Sequence, residues 1–210
     1  IASLTPTATP TPTPGPYAGR TVADLSVRSY GGGELTVEET LSVTQAFTRS
    51  LITYPSERLT LYGYMNTPAG EGPFPVAIVM HGYIAPERYN TIAYTTRYAD
   101  ALARAGYLVI HPNYRNWPPS DSGPDLFRVP HAVDALNLIA MIRAQAGQAG
   151  PLAQADAGFI GMMGHSMGGG ITLRAITASD AVAAAVLYGS MSGDERQKLE
   201  AILEWSGGAR

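Results

Sequence analysis

The chain has 210 residues, 45% of them apolar, and a formal net charge of −3, enough for one sizeable core and without the basic footprint of a nucleic-acid binder. It contains no cysteine, which excludes disulfides and thiolate metal sites. Its four histidines (His81, His111, His131 and His165) include no His-x-x-x-His pair, so neither a metal nor another cofactor is expected, and no apolar run is long enough to span a bilayer.

Residues 5–16 read TPTATPTPTPGP. A Thr/Pro tract of this kind cannot build a core and stays extended, so residues 1–16 are expected to be a linker. With Ile1 in front of it, the tract is expected to be a stalk left after removal of a secretory or lipoprotein signal, which points to a secreted or cell-surface protein. Residues 17–45 are weakly patterned, with a break at Gly31-Gly32-Gly33 and an alternating edge strand expected over 34–43. Runs at 46–54 and 59–65, joined by Pro55-Ser56-Glu57-Arg58, predict an antiparallel hairpin.

From residue 76 the pattern changes. Continuous apolar runs at 76–80, 107–110, 157–163 and 182–187 predict strands covered on both faces. Between and after them, helices are predicted over 94–105 (with Gly106 as C-cap), 129–146, 167–178 and 194–205. Alternating buried strands and helices imply an α/β protein with a mostly parallel sheet and helices on both faces, one domain over 17–210. Ligands of such sheets bind beyond the carboxyl ends of the strands, and three reactive-looking segments lie there: His81-Gly82-Tyr83, Asn113-Tyr114-Arg115 and His165-Ser166-Met167.

Residues 164–169, Gly164-His165-Ser166-Met167-Gly168-Gly169, form a Gly-x-Ser-x-Gly pattern between a predicted strand and a small-residue helix. A nucleophilic serine needs such a sharp turn, which exposes its hydroxyl and lets backbone N–H groups converge beside it. Ser166 is therefore the expected nucleophile. The oxyanion that develops during acyl transfer needs two donors, expected to be the backbone N–H groups of Met167 and of Tyr83, the latter in the loop after the 76–80 strand. Tyr114 and Trp117, in the loop after the 107–110 strand, are expected to line an acyl or alcohol pocket, and Tyr188 to face the nucleophile across the next strand end. A structural ion pair is the expected role of Arg115.

The order HGY, PNYR, GHSMGGG resembles an α/β-hydrolase of the dienelactone-hydrolase and prolyl-oligopeptidase-like branch, over roughly residues 59–192. The GHSMGGG run is also similar to that of bacterial cutinases and polyesterases, which pair a Tyr with a Met backbone donor. The resemblance implies Ser166 as nucleophile and Tyr83 and Met167 as oxyanion hole. Where the cutinase-like proteins usually carry a tryptophan after the following strand, this chain has Tyr188-Gly189-Ser190.

The family also supplies a triad acid and a histidine after later strands, and here the sequence departs from it: no histidine follows His165. A serine hydroxyl is a poor nucleophile without a base. His165 should point away from the hydroxyl, His81 should support the oxyanion loop, and His111 and His131 are badly placed. Asp194 is a weak candidate acid. The chain is therefore expected to be the N-terminal portion of a longer hydrolase, cut after Arg210 at the end of the exposed-looking Gly-rich stretch 206–210, with acid and histidine supplied by a remainder beyond it held as a second chain. The expected reaction is hydrolysis of a small-molecule or polymer carboxylic ester. The alternatives are a serine peptidase of the prolyl-oligopeptidase type and a hydrolase-fold binding module without turnover.

Overall fold

In the computed structural model, residue 15 and residues 17–205 are described; most of the Thr/Pro tract and the stretch ending at Arg210 lie outside them. The elements follow in the order α1 (Val22–Val27), β1 (Thr36–Val43), β2 (Phe47–Ser56), β3 (Leu59–Pro68), β4 (Phe74–Met80), α2 (Thr96–Arg104), β5 (Leu108–Pro112), α3 (Val129–Gln145), β6 (Ala155–His165), α4 (Met167–Ala178), β7 (Ala184–Tyr188) and α5 (Glu195–Trp205).

The seven strands form one sheet in the order β1-β2-β3-β5-β4-β6-β7. Pairings β4·β5, β4·β6 and β6·β7 are parallel, and β1·β2, β2·β3 and β3·β5 are antiparallel. Two antiparallel steps bring β2 back into line with β4 to β7, so five of the seven strands run one way and the sheet is mostly parallel in direction.

The pleat of β4 divides the core. Val76, Ile78 and Met80 pack on one face with α3 and α4, while Ala77 and Val79 join Ala99 and Ala103 of α2 on the other. This is the period of two acting in a strand buried on both sides. Helices therefore cover both faces, and β4, β5, β6 and β7 all end at the same edge, where the three reactive-looking segments emerge.

Four expectations change in detail. The hairpin strands run longer than predicted and leave a turn of only Glu57 and Arg58, with Glu57 at φ 55°. Helix α1 arises in the segment read as unpatterned; Thr21 caps it, its hydroxyl accepting from the Asp24 N–H while the Asp24 carboxylate accepts from the Thr21 N–H. His111 lies within β5 rather than in the loop after it. Strand β7, expected to be buried, is exposed along its whole length. It pairs with β6 on one side, and no described strand pairs with its other edge.

Candidate active site

Strand β6 runs into α4 through a single residue. Ser166 stands there at φ 53° and ψ −116°, a conformation that costs a non-glycine residue about 1–3 kcal/mol and needs surroundings that enforce it. The Ser166 N–H donates to the Tyr188 carbonyl (3.1 Å), and the Ser166 carbonyl accepts from the N–H groups of Gly170 (3.2 Å) and Met191 (3.3 Å). The turn also needs room behind it: a Cβ on Gly168 would lie 2.3 Å from the Met80 carbonyl oxygen, so α4 starts in direct backbone contact with the end of β4.

That contact brings the loop after β4 to the serine. A Cβ on Gly82 would meet the Tyr94 hydroxyl at 2.6 Å, His165 Nδ1 at 2.9 Å and Ser166 Cβ at 3.1 Å. The loop is held from several sides. The Tyr114 hydroxyl donates to the His81 carbonyl (2.7 Å), His81 Nδ1–H donates to the Gly82 carbonyl (2.7 Å), and Trp117 Nε1–H donates to the Ile84 carbonyl (2.7 Å). Because a carbonyl only accepts, His81 carries its proton on Nδ1. The Tyr83 N–H has no acceptor among the described residues. Met167, as the first residue of α4, has an N–H without an intrahelical partner.

None of the four histidines is hydrogen-bonded to Ser166 among the described residues. His81 is fully buried, stacked on Tyr114 at 4.1 Å between ring centroids, and burial holds it well below the ordinary imidazole range, with His111 adding to the effect. His111 stacks on Tyr64 and bonds through Nε2 to the Thr95 hydroxyl (2.6 Å), and burial pushes it down to about 3. His131 is buried edge-on to Tyr114 and Trp117; Asp125 Oδ1 stands 3.0 Å from its Nδ1 but outside hydrogen-bonding geometry. His165 is half-buried, with Nδ1 2.6 Å from the Tyr94 hydroxyl and its ring 5.2 Å from that of Tyr188. Asp194 is exposed and accepts from the Arg196 and Gln197 N–H groups at the start of α5.

Among the substrate-facing expectations, Tyr188 is 54% exposed beside His165 at the sheet edge. Tyr114 and Trp117 require a correction. They are 1% and 4% exposed, and their polar atoms donate to carbonyls of the loop after β4, so they brace that loop from behind instead of lining a pocket. A loop aromatic with a polar tip can turn inward wherever a carbonyl needs a donor. Arg115 is buried in a paired arrangement, its guanidinium donating to both Asp134 oxygens (2.9 and 2.6 Å) and to Glu57 (2.8 Å). Burial opposes its charge, but the bonds to Asp134 and Glu57 outweigh that and raise its pKa. Ser56 donates to Asp134 as well (2.5 Å), so the network ties the hairpin turn, the loop after β5 and α3 together.

Two features lay outside the sequence reading. The Tyr94 hydroxyl bonds the Gly82 N–H, 12 positions before it, and reaches His165, 71 positions after it, which no local spacing rule reveals. Arg128, at φ 56° before α3, holds its guanidinium 5.7 Å from the Tyr83 ring centroid. Beside the elbow, a cavity of about 860 Å³ is lined by Leu25, Val129, Met167, Ile171 and Met191 among others. Among the described residues no group of three or more His, Cys, Asp or Glu could hold a metal, and no helix is long and apolar enough to cross a membrane.

Comparison with known proteins agrees with this architecture. No curated protein matches the sequence. Among solved structures, the chain is similar to acetyl xylan esterase 1 from Thermoanaerobacterium sp. (15% identity, TM-score 0.62, 85% of this chain and 58% of that one). It is similar to an acetyl xylan esterase from Paenibacillus sp. R4 (17%, 0.60, 86% and 60%). It is also similar to an alpha/beta hydrolase from Penicillium sp. sh18 (23%, 0.56, 76% and 52%). The chain thus spans between about half and three-fifths of the length of these three structures. A family model described as the alpha/beta hydrolase fold matches residues 75–208, well over half of the chain, and the chain belongs to that family.

Proposed function

We propose that this chain carries the nucleophile and oxyanion hole of a serine hydrolase that cleaves carboxylic esters. The observation that carries the reading is Ser166 at φ 53° on the β6–α4 turn, with the loop of Gly82 and Tyr83 packed against it. Ser166 Oγ attacks the ester carbonyl carbon, and the oxygen takes the negative charge between the Tyr83 and Met167 N–H groups. Each such donor lowers the barrier by about 3 kcal/mol. The tetrahedral intermediate collapses with loss of the alcohol, and water then releases the acid from the acyl-enzyme.

The proton of Ser166 needs a base. All four histidines here are occupied elsewhere or buried, so we assign the base and its acid partner to residues beyond Arg210, as a second chain or as a continuation, seated against the exposed β7. The structures named as esterases, although alike only in fold, favour an ester over a peptide substrate, whether a small molecule or a polymer. Secretion or display at the cell surface, read from the Thr/Pro tract, belongs to the same proposal. The lack of any histidine bonded to Ser166 favours one other reading, a hydrolase-fold module that binds a ligand without turning it over.

Hydrolysis of p-nitrophenyl acetate by the natural full-length protein separates the two. Turnover that Ser166→Ala abolishes supports the esterase; a folded protein whose slow background rate is the same in wild type and Ser166→Ala supports the binding module.

A further inference from the structure

An oxyanion hole built from Tyr83 and Met167 draws its donors from two separate segments, the loop after β4 and the start of α4, so their relative position must be fixed from outside either one. The Tyr94 hydroxyl lies where the two segments meet. It accepts from the Gly82 N–H at 2.9 Å and stands 2.6 Å from Nδ1 of His165, the residue before Ser166. Its ring packs edge-on against His165, 5.5 Å between centroids at 83°. His81 holds the other end of the same glycine, its Nδ1–H donating to the Gly82 carbonyl. That carbonyl shares a peptide plane with the Tyr83 N–H, so fixing Gly82 at both ends fixes the direction of the donor.

From this geometry we infer that Tyr94 is a positioning residue for the oxyanion hole, its hydroxyl clamping the loop of Gly82 and Tyr83 to the elbow of His165 and Ser166. The inference rests on the esterase reading above. In the Nε2–H tautomer of His165, the Tyr94 O–H donates to Nδ1 while its oxygen keeps the Gly82 N–H, so all three polar groups are satisfied by one hydroxyl. Burial, the larger influence, raises the phenol pKa, so the donor stays protonated at neutral pH. A clamp of this kind acts on the transition state, because the oxygen reaches its final position only as the carbonyl carbon becomes tetrahedral.

The test is Tyr94→Phe in the natural full-length protein, which removes the hydroxyl and keeps the ring against His165. We expect kcat on p-nitrophenyl acetate to fall about 10- to 100-fold with KM within twofold, the size of effect a small misplacement of a reacting group produces. The affinity for a phenylboronic acid, which forms a tetrahedral adduct on the serine, should weaken by a similar factor, while competitive inhibition by acetate stays unchanged. Wild-type kcat and boronate affinity in Tyr94→Phe would overturn the clamp and leave the esterase reading standing. So would a loss confined to KM, which would make Tyr94 a substrate contact. A wild-type protein with no Ser166-dependent turnover would overturn both.

Discussion

The β6–α4 elbow and strand β7 are neighbours in one sheet and differ sharply. Beside Ser166, the segment 81–84 is tied down by four side chains, Tyr114, Trp117, His81 and Tyr94, which all bond to its backbone. One strand further on, Val186, Leu187 and Tyr188 are 56%, 42% and 54% exposed. Exposed apolar residues scattered singly need no explanation, but three in succession on a strand read as a surface to be covered. On the proposed esterase reading, the described residues supply a strained serine with donors beside it, and the base and the elements that cover β7 are the parts assigned to the remainder.

Several changes break or sharpen this contrast. The largest effect falls on the elbow: Ser166→Ala should lower ester turnover by about 10⁴-fold or more, as loss of a nucleophile does, with stability within about 0.5 kcal/mol of wild type because alanine keeps the Cβ and with it the backbone strain. Asp134→Ala comes next. It leaves the Arg115 guanidinium buried beside a single partly exposed carboxylate, and urea unfolding should show a loss of about 3–5 kcal/mol. On the β7 side, Val186→Lys distinguishes a covered strand from a bare one. In the natural full-length protein we expect a loss of about 3 kcal/mol from burying an unpaired charge, whereas a change within about 0.5 kcal/mol would mean that the strand stays exposed.

The pH dependence probes the packed side again. His81 and His111 are neutral in the folded protein because burial depresses their pKa values, that of His111 to about 3. The unfolded chain, with its imidazoles near the ordinary 6.5, therefore binds more protons once the pH drops below that value. Their contribution to stability is fully present above about pH 6.5 and is lost as the pH falls toward 3, at up to about 1.4 kcal/mol per unit for each histidine. Thermal melts should be level from pH 8 to 7 and decline below 6.5, and His111→Phe should flatten the decline. The smallest effect is at the N-terminal helix, where Thr21→Ala removes a capping box and should cost about 1 kcal/mol.

The sheet was largely legible in the sequence because β4, β5 and β6 are apolar runs bounded by loops and helices, and such runs need cover on both faces. The same logic misjudged β7, whose apolar run states a need for cover that the described residues do not meet. The hairpin was read short because Pro55 resembles a breaker. It lies past the last β1–β2 pair, Thr36 with Thr53, so its missing N–H faces no partner strand. Helix α1 did carry a signal, Thr21-Val22-Ala23-Asp24, but no long periodic run follows it to draw attention. In the candidate site, Ser166 was visible from its glycines and its position between strand and helix. Tyr114 and Trp117 were placed facing outward because a loop has no periodicity to say which way an aromatic turns. The link from Tyr94 to His165 was invisible because it exists only once β4 and β6 pair.

The most direct measurement is peptide mapping of the natural full-length protein after treatment with a fluorophosphonate, which reacts with a serine only when a base activates it. The account predicts a single adduct on the peptide that carries Ser166, absent from Ser166→Ala. A folded protein that leaves that peptide unmodified would contradict it.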